Sequence, residues 1–151
     1  MVVAVDFDGT IVVQDGRPYA DVTSPFQLIL GAREGLRALK AAGHTIILWS
    51  GRANLALRRN ALLDPLVRAG KKKPLTGEKL ARNYKLNEAR YQHMLAFARD
   101  HLAGLVDAVD DGTCGKVSAD LFIDDKALRL GPGNSAVTWA DVVRRHGARF
   151  A

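Results

Sequence analysis

Four polar clusters along this chain each come directly after a run of apolar residues. Asp6-Phe7-Asp8-Gly9-Thr10 follows residues 1–5, and Ser50-Gly51-Arg52 follows 44–49. Asp110-Asp111-Gly112 follows 105–109, and Asp124-Asp125 follows 121–123, with Lys116 a few residues ahead. Brought to one place, these residues offer six carboxylates, two hydroxyls, glycine amides and a lysine. Crowded carboxylates repel one another and call for a cation; hard oxygen ligands with room for water suit Mg²⁺. An aspartate is ionised at neutral pH, so it serves as a nucleophile without a separate base, and a bound metal offsets its repulsion from a phosphate. Asp6 and Asp8 share a side of a regular strand, while Phe7 faces the other way into the core. If the chain turns after Asp6, one carboxylate can act on phosphorus while the other reaches the leaving oxygen. Gly9 allows that turn and the close approach of a phosphate. The Ser50 hydroxyl and Gly51 amide suit phosphate oxygens, and Lys116 adds a point charge.

Each signal alone is weak. An isolated Asp-x-Asp is more often a loop or cap, Ser50-Gly51 an ordinary turn, Asp124-Asp125 a helix cap and Lys116 a solvated lysine. Their joint occurrence, in order and each after an apolar run, is what carries weight. Competing motifs fail. Residues 112–116 (Gly-Thr-Cys-Gly-Lys) come near a phosphate-binding loop, but Asp110 stands where its first glycine belongs and Val117 where its hydroxyl belongs. His44, His93, His101 and His146 have no zinc-site spacing with the lone Cys114, which reads as a passive small residue rather than a reactive thiol.

The elements that must position these residues alternate. Residues 1–5, 44–49, 105–109 and 121–123 read as short buried strands of a parallel sheet. Residues 11–19, with Asp15-Gly16 at the centre, suggest a small hairpin. Residues 25–42, 54–69, 85–102 and 139–146 read as helices, and the basic stretch 70–84 as a loop. This pattern gives a Rossmann-like three-layer α/β/α sandwich with a mainly parallel sheet and no large cap domain. In such sheets ligands sit beyond the carboxyl ends of the strands, where all four clusters fall.

The chain has 151 residues, 48% of them hydrophobic and 25% charged, which favours a single globular domain with a real core over disorder. No apolar run approaches the roughly 18–20 residues of a membrane span. The opening has no basic leader or small-residue cleavage site, and the single cysteine permits no internal disulfide, so a cytoplasmic location is expected. The formal net charge of +6 fits solubility, or attraction to a polyanion; the basic residues thicken between Arg68 and Arg90, around Lys71-Lys72-Lys73.

With these motifs in order, the chain resembles the haloacid dehalogenase superfamily of phosphohydrolases. Residues 6–10 look like its first motif, the strand closing in Ser50-Gly51-Arg52 its second, Lys116 its third and Asp124-Asp125 its fourth. The stretch 116–125 is particularly close to small bacterial and phage members with little or no cap. The resemblance implies that Asp6 is the nucleophile and forms an aspartyl-phosphate. It implies that Asp8 protonates the leaving group and then activates water, while Ser50, Gly51 and Lys116 hold the phosphoryl oxygens. It also implies that Asp6, the carbonyl of Asp8, Asp124 and Asp125 hold Mg²⁺. The expected activity is hydrolysis of a phosphomonoester. A nucleic-acid 3′-end is one alternative substrate; a non-catalytic phosphate- or nucleic-acid-binding module, or transfer to an acceptor other than water, are alternative roles. A capless site is open, which suits large substrates or closure by a neighbouring subunit, with the loop 70–84 as a partial lid.

Overall fold

Val2–Asp6 forms β1, the central strand, with Val3, Ala4 and Val5 fully buried. The structure is a computed structural model and describes residues 1–14, 16–53, 65–113, 115–125 and 139–144. β1 pairs in parallel with β2 (Thr45–Trp49) on one side, from Val2 opposite Thr45 to Asp6 opposite Trp49. On its other side it pairs in parallel with β4 (Leu121–Ile123), Val5 opposite Ile123. β3 (Ala108–Val109) adds to the far side of β2, giving the parallel order β3-β2-β1-β4. The fold is therefore α/β and Rossmann-like, as expected. The chain steps from β1 outward through β2 and β3, then returns to the opposite side of β1. Its switch point lies between the ends of β1 and β4, where open parallel sheets take their ligands.

Helix α1 (Ala32–Ala41) follows β1, α2 (Pro65–Arg68) and α3 (Gly77–His101) lie between β2 and β3, and α4 (Trp139–Val142) follows β4. Leu36 and Leu39 of α1, Tyr91, Met94 and Phe97 of α3, and Val142 of α4 share one core with the Val3, Val5 and Phe7 row. Phe7, Phe26 and Phe97 meet edge to face, with centroids 4.8–5.6 Å apart. No helix of the described residues is long and apolar enough to cross a membrane.

Several boundaries differ from the sequence expectation. The helix expected from residue 25 begins at Ala32, because 27–29 are used in backbone pairing with 11–13: the Val13 amide donates to Gln27, the Ile29 amide to Ile11, and Gly31 turns left-handed. That wider pairing replaces the hairpin expected within 11–19; Asp15 lies outside the described residues. The helix expected from Lys85 begins at Gly77, with Thr76 extended before it and Glu78 in its positively polarised first turn, so the loop 70–84 shrinks to 70–76. Of the helix expected over 54–69, only Pro65–Arg68 is described. Of that over 139–146, residues 145 and 146 lie outside the description, as does Cys114.

The third strand is shorter than 105–109 because its approach is a clamp. The Asp107 carboxylate accepts from Lys40 Nζ at 2.6 Å and from the Ile46 amide at 2.7 Å. Asp120 does the same at the start of β4, accepting from the Val2 amide at 2.8 Å. Lys40 first, and the Ile46 amide second, hold the Asp107 carboxyl below its usual range. A depressed carboxyl stabilises the fold above its unfolded value, and that contribution disappears as pH falls through its folded value. Asp107→Ala is expected to lose about 1 kcal/mol at neutral pH, the gap closing below about pH 4, as read from urea melts along a pH series.

Candidate metal and phosphate site

Asp6 ends β1 and Asp124 follows β4, so the pairing of these strands sets the two carboxylates side by side at the switch point. Asp125 joins them: one carboxylate oxygen from each of Asp6, Asp124 and Asp125 lies within 4.8 Å of the others. Asp6 and Asp124 are half-buried and Asp125 is exposed. Burial pushes the Asp6 carboxyl up to about 7, with the charges of Asp124, Asp8 and Asp125 adding to it against the pull of the Phe7 amide. Three hard oxygen donors under mutual repulsion fit a divalent cation such as Mg²⁺, and the trio could hold one.

The turn after β1 is built against this trio. The Ile11 and Val12 amides both donate to the Phe7 carbonyl at 3.0 Å, and the Gly9 amide donates to Val12 at 2.8 Å. The Asp8 carbonyl takes neither of the Ile11 and Val12 bonds. Gly9 has φ +82°, and a β-carbon there would sit 2.7 Å from Asp125 Oδ2. Only glycine meets both demands.

Asp8 is paired with Arg52. Arg52 Nε donates to Asp8 Oδ2 and Nη2 to Oδ1, both at 2.6 Å, a bidentate fork. The guanidinium is 2% exposed, reaches the Arg90 carbonyl at 3.5 Å, and lies 5.6 and 5.2 Å from the Phe7 and Phe26 ring centres. Sequence reasoning noted Arg52 in its motif and assigned it no role. An arginine two residues past a buried strand end, beside a glycine, was the available signal. The sequence assigns Asp8 to the metal through its backbone carbonyl; its carboxylate is committed to Arg52.

Ser50 is buried at the end of β2, where its hydroxyl oxygen accepts from the Arg52 amide at 3.2 Å and its carbonyl from the Ala53 amide at 3.0 Å. The resulting 3-10 turn, Gly51–Ala53, leaves Gly51 exposed. Lys116 is exposed, its amine 4.4 Å from the Phe122 ring centre, and Phe122 packs edge to face on Trp49 at 5.6 Å. Phe122 is opposite Ala4 and Trp49 opposite Asp6, so Lys116 is on the face of the sheet that Asp6 occupies without ion-pairing to the trio. Asp110 and Asp111 close their own loop: they accept from the Gly112 and Thr113 amides at 3.2 and 2.9 Å.

No protein-family model and no curated protein matches this chain. A solved structure that does match is a conserved protein from Bacteroides thetaiotaomicron, 25% identical over 96% of this chain and 89% of that one, with a TM-score of 0.43.

The raised Asp6 carboxyl makes a stability prediction for the metal-free protein. A carboxyl whose folded value is raised favours the fold while protonated, and that advantage is lost as pH rises from about 4 through about 7. Asp6→Asn removes the charge, so it is expected to stabilise the protein above pH 7 by up to about 4 kcal/mol, and to leave stability nearly unaltered below pH 4. Chemical denaturation with a chelator present at both pH values measures this.

Proposed function

We propose that this chain is a Mg²⁺-dependent phosphomonoester hydrolase of haloacid dehalogenase type that works through an aspartyl-phosphate on Asp6. The observation that carries the reading is the convergence of Asp6, Asp124 and Asp125 at the switch point, with Asp8 fixed beside them. Mg²⁺ held by Asp6, Asp124, Asp125 and the Asp8 carbonyl would offset the repulsion between the Asp6 carboxylate and the incoming phosphate. The remaining work belongs to side chains. An Asp6 oxygen attacks phosphorus, the ester P–O bond breaks, and Asp8 gives its proton to the departing oxygen. Asp8 then takes a proton from water, whose oxygen attacks phosphorus and releases Asp6 with inorganic phosphate. Ser50, the Gly51 amide and Lys116 hold the phosphoryl oxygens, Lys116 by swinging from Phe122.

Arg52 acts in this scheme as a positioning residue. Its fork fixes the Asp8 carboxyl in one orientation, and one of its two bonds opens when Asp8 carries the proton. Lysine keeps the charge and loses the fork. Arg52→Lys is therefore expected to lower kcat roughly 10- to 100-fold with little change in KM. The loss should be larger for an alkyl phosphate, which needs its leaving group protonated, than for para-nitrophenyl phosphate; equal losses would reduce Arg52 to a structural part.

Two further outcomes follow. The wild-type chain hydrolyses para-nitrophenyl phosphate with Mg²⁺ and Asp6→Asn does not, its circular dichroism unaltered; DNA binding without any turnover would instead favour a non-catalytic module. Gly9→Ala is expected to raise the Mg²⁺ concentration for half-maximal activity roughly tenfold by displacing Asp125.

A further inference from the structure

The buried residues of α3 run from Asn87 to Ala98. At this level Arg52 reaches the Arg90 carbonyl, and the Tyr91 hydroxyl donates to the carbonyl of Asp110, just past β3, at 3.2 Å. Position 90 is thus level with the carboxyl edge of the sheet, where the acidic trio lies. The helix continues toward its start at Gly77 for 13 residues beyond that edge, a rise of about 20 Å.

That projecting arm is basic. Lys79, Arg82 and Lys85 recur at every third position, which aligns them in one ridge, and all three are exposed. Lys71 and Lys73 are exposed on the loop before it. Among the described residues none of these five makes an ion pair, whereas Lys40, Arg17, Arg52, Arg99 and Arg144 each face an aspartate. The arm is anchored where it leaves the core. Asn87, fully buried, accepts from the Tyr19 hydroxyl at 2.5 Å and donates to the Asn83 carbonyl at 2.7 Å, and Arg90 stacks 3.7 Å from the Tyr19 ring centre. Tyr19 is still 49% exposed, on the segment that follows Asp8.

We infer that the ridge of Lys79, Arg82 and Lys85 binds the phosphodiester backbone of a nucleic-acid strand whose terminal phosphate enters the Asp6 site; the inference rests on the phosphatase reading above. A small phosphate ester has nothing to place against cations up to about 16 Å along the helix beyond Arg90. A polyanion does, and evenly spaced cations beside an exposed aromatic ring are the means by which single strands are held without regard to sequence. The Asp8 side of the site is where the leaving group departs, and Tyr19 is linked to Asp8 through Arg90 and Arg52.

The test compares the wild-type chain with the triple variant Lys79→Gln, Arg82→Gln, Lys85→Gln on a short 3′-phosphorylated single-stranded DNA and on para-nitrophenyl phosphate. The ratio of kcat/KM for the oligonucleotide to that for the small ester is expected to fall about tenfold in the variant, and the log–log salt dependence of the oligonucleotide reaction to flatten by about 2. An unaltered ratio and slope, or a phosphopeptide cleaved better than the oligonucleotide, would overturn the inference. Fluorescence anisotropy with a labelled oligonucleotide separates this from the activity. If neither ester is turned over, the phosphatase reading fails, and salt-sensitive binding lost in the triple variant still supports the ridge. Equal binding by the variant, or none by either protein, sinks the ridge.

Discussion

Repulsion among three carboxylates at the end of two neighbouring parallel strands is the constraint around which this molecule is built. Asp6 cannot be moved away from Asp124, because the β1–β4 register sets them side by side. Nor can Asp125 retreat through Gly9, whose backbone stands against its carboxylate. Burial, with these neighbouring charges adding to it, leaves an aspartate that holds its proton to about pH 7 when no cation is present. Such a group is poorly suited to stabilising a fold and well suited to gathering a hard cation and presenting a carboxylate oxygen beside it.

The fourth aspartate is treated differently. Asp8 has its own cation in Arg52, which is fixed by the Arg90 carbonyl and by the Phe7 and Phe26 rings. Phe7 thus has two tasks: it fills the core between β1 and α3, and it forms part of the wall that holds the guanidinium. The fork commits the Arg52 charge to Asp8. The three aromatic rings, the Asp8–Arg52 fork and the Gly9 turn therefore form a continuous packed unit linking the hydrophobic core to the site.

Much of this was legible before any coordinates. Strands buried on both faces announce themselves as apolar, β-branched runs, so β1, β2 and β4 fell where expected, and with them the carboxylates at their ends. What escaped was set by long-range contacts. The first helix starts late because 27–29 pair with 11–13, 16 residues away, which no local propensity encodes. α3 starts early because Thr76 and Glu78 make a workable beginning in a stretch whose lysines and proline had read as loop. Asp110 and Asp111 followed a strand as the pattern required, yet their carboxylates close their own turn. The Asp8–Arg52 fork joins residues 44 apart, and nothing in spacing distinguishes a buried arginine from a solvated one.

The most direct measure of the central claim is a calorimetric titration of Mg²⁺ into the chain at pH 7 in two buffers of different ionisation enthalpy. If the trio is the cation site, Mg²⁺ binds with one ion per chain, releases about half a proton as Asp6 ionises, and fails to bind Asp124→Asn. Binding with no proton release and no sensitivity to Asp124 would place the cation elsewhere and contradict the account.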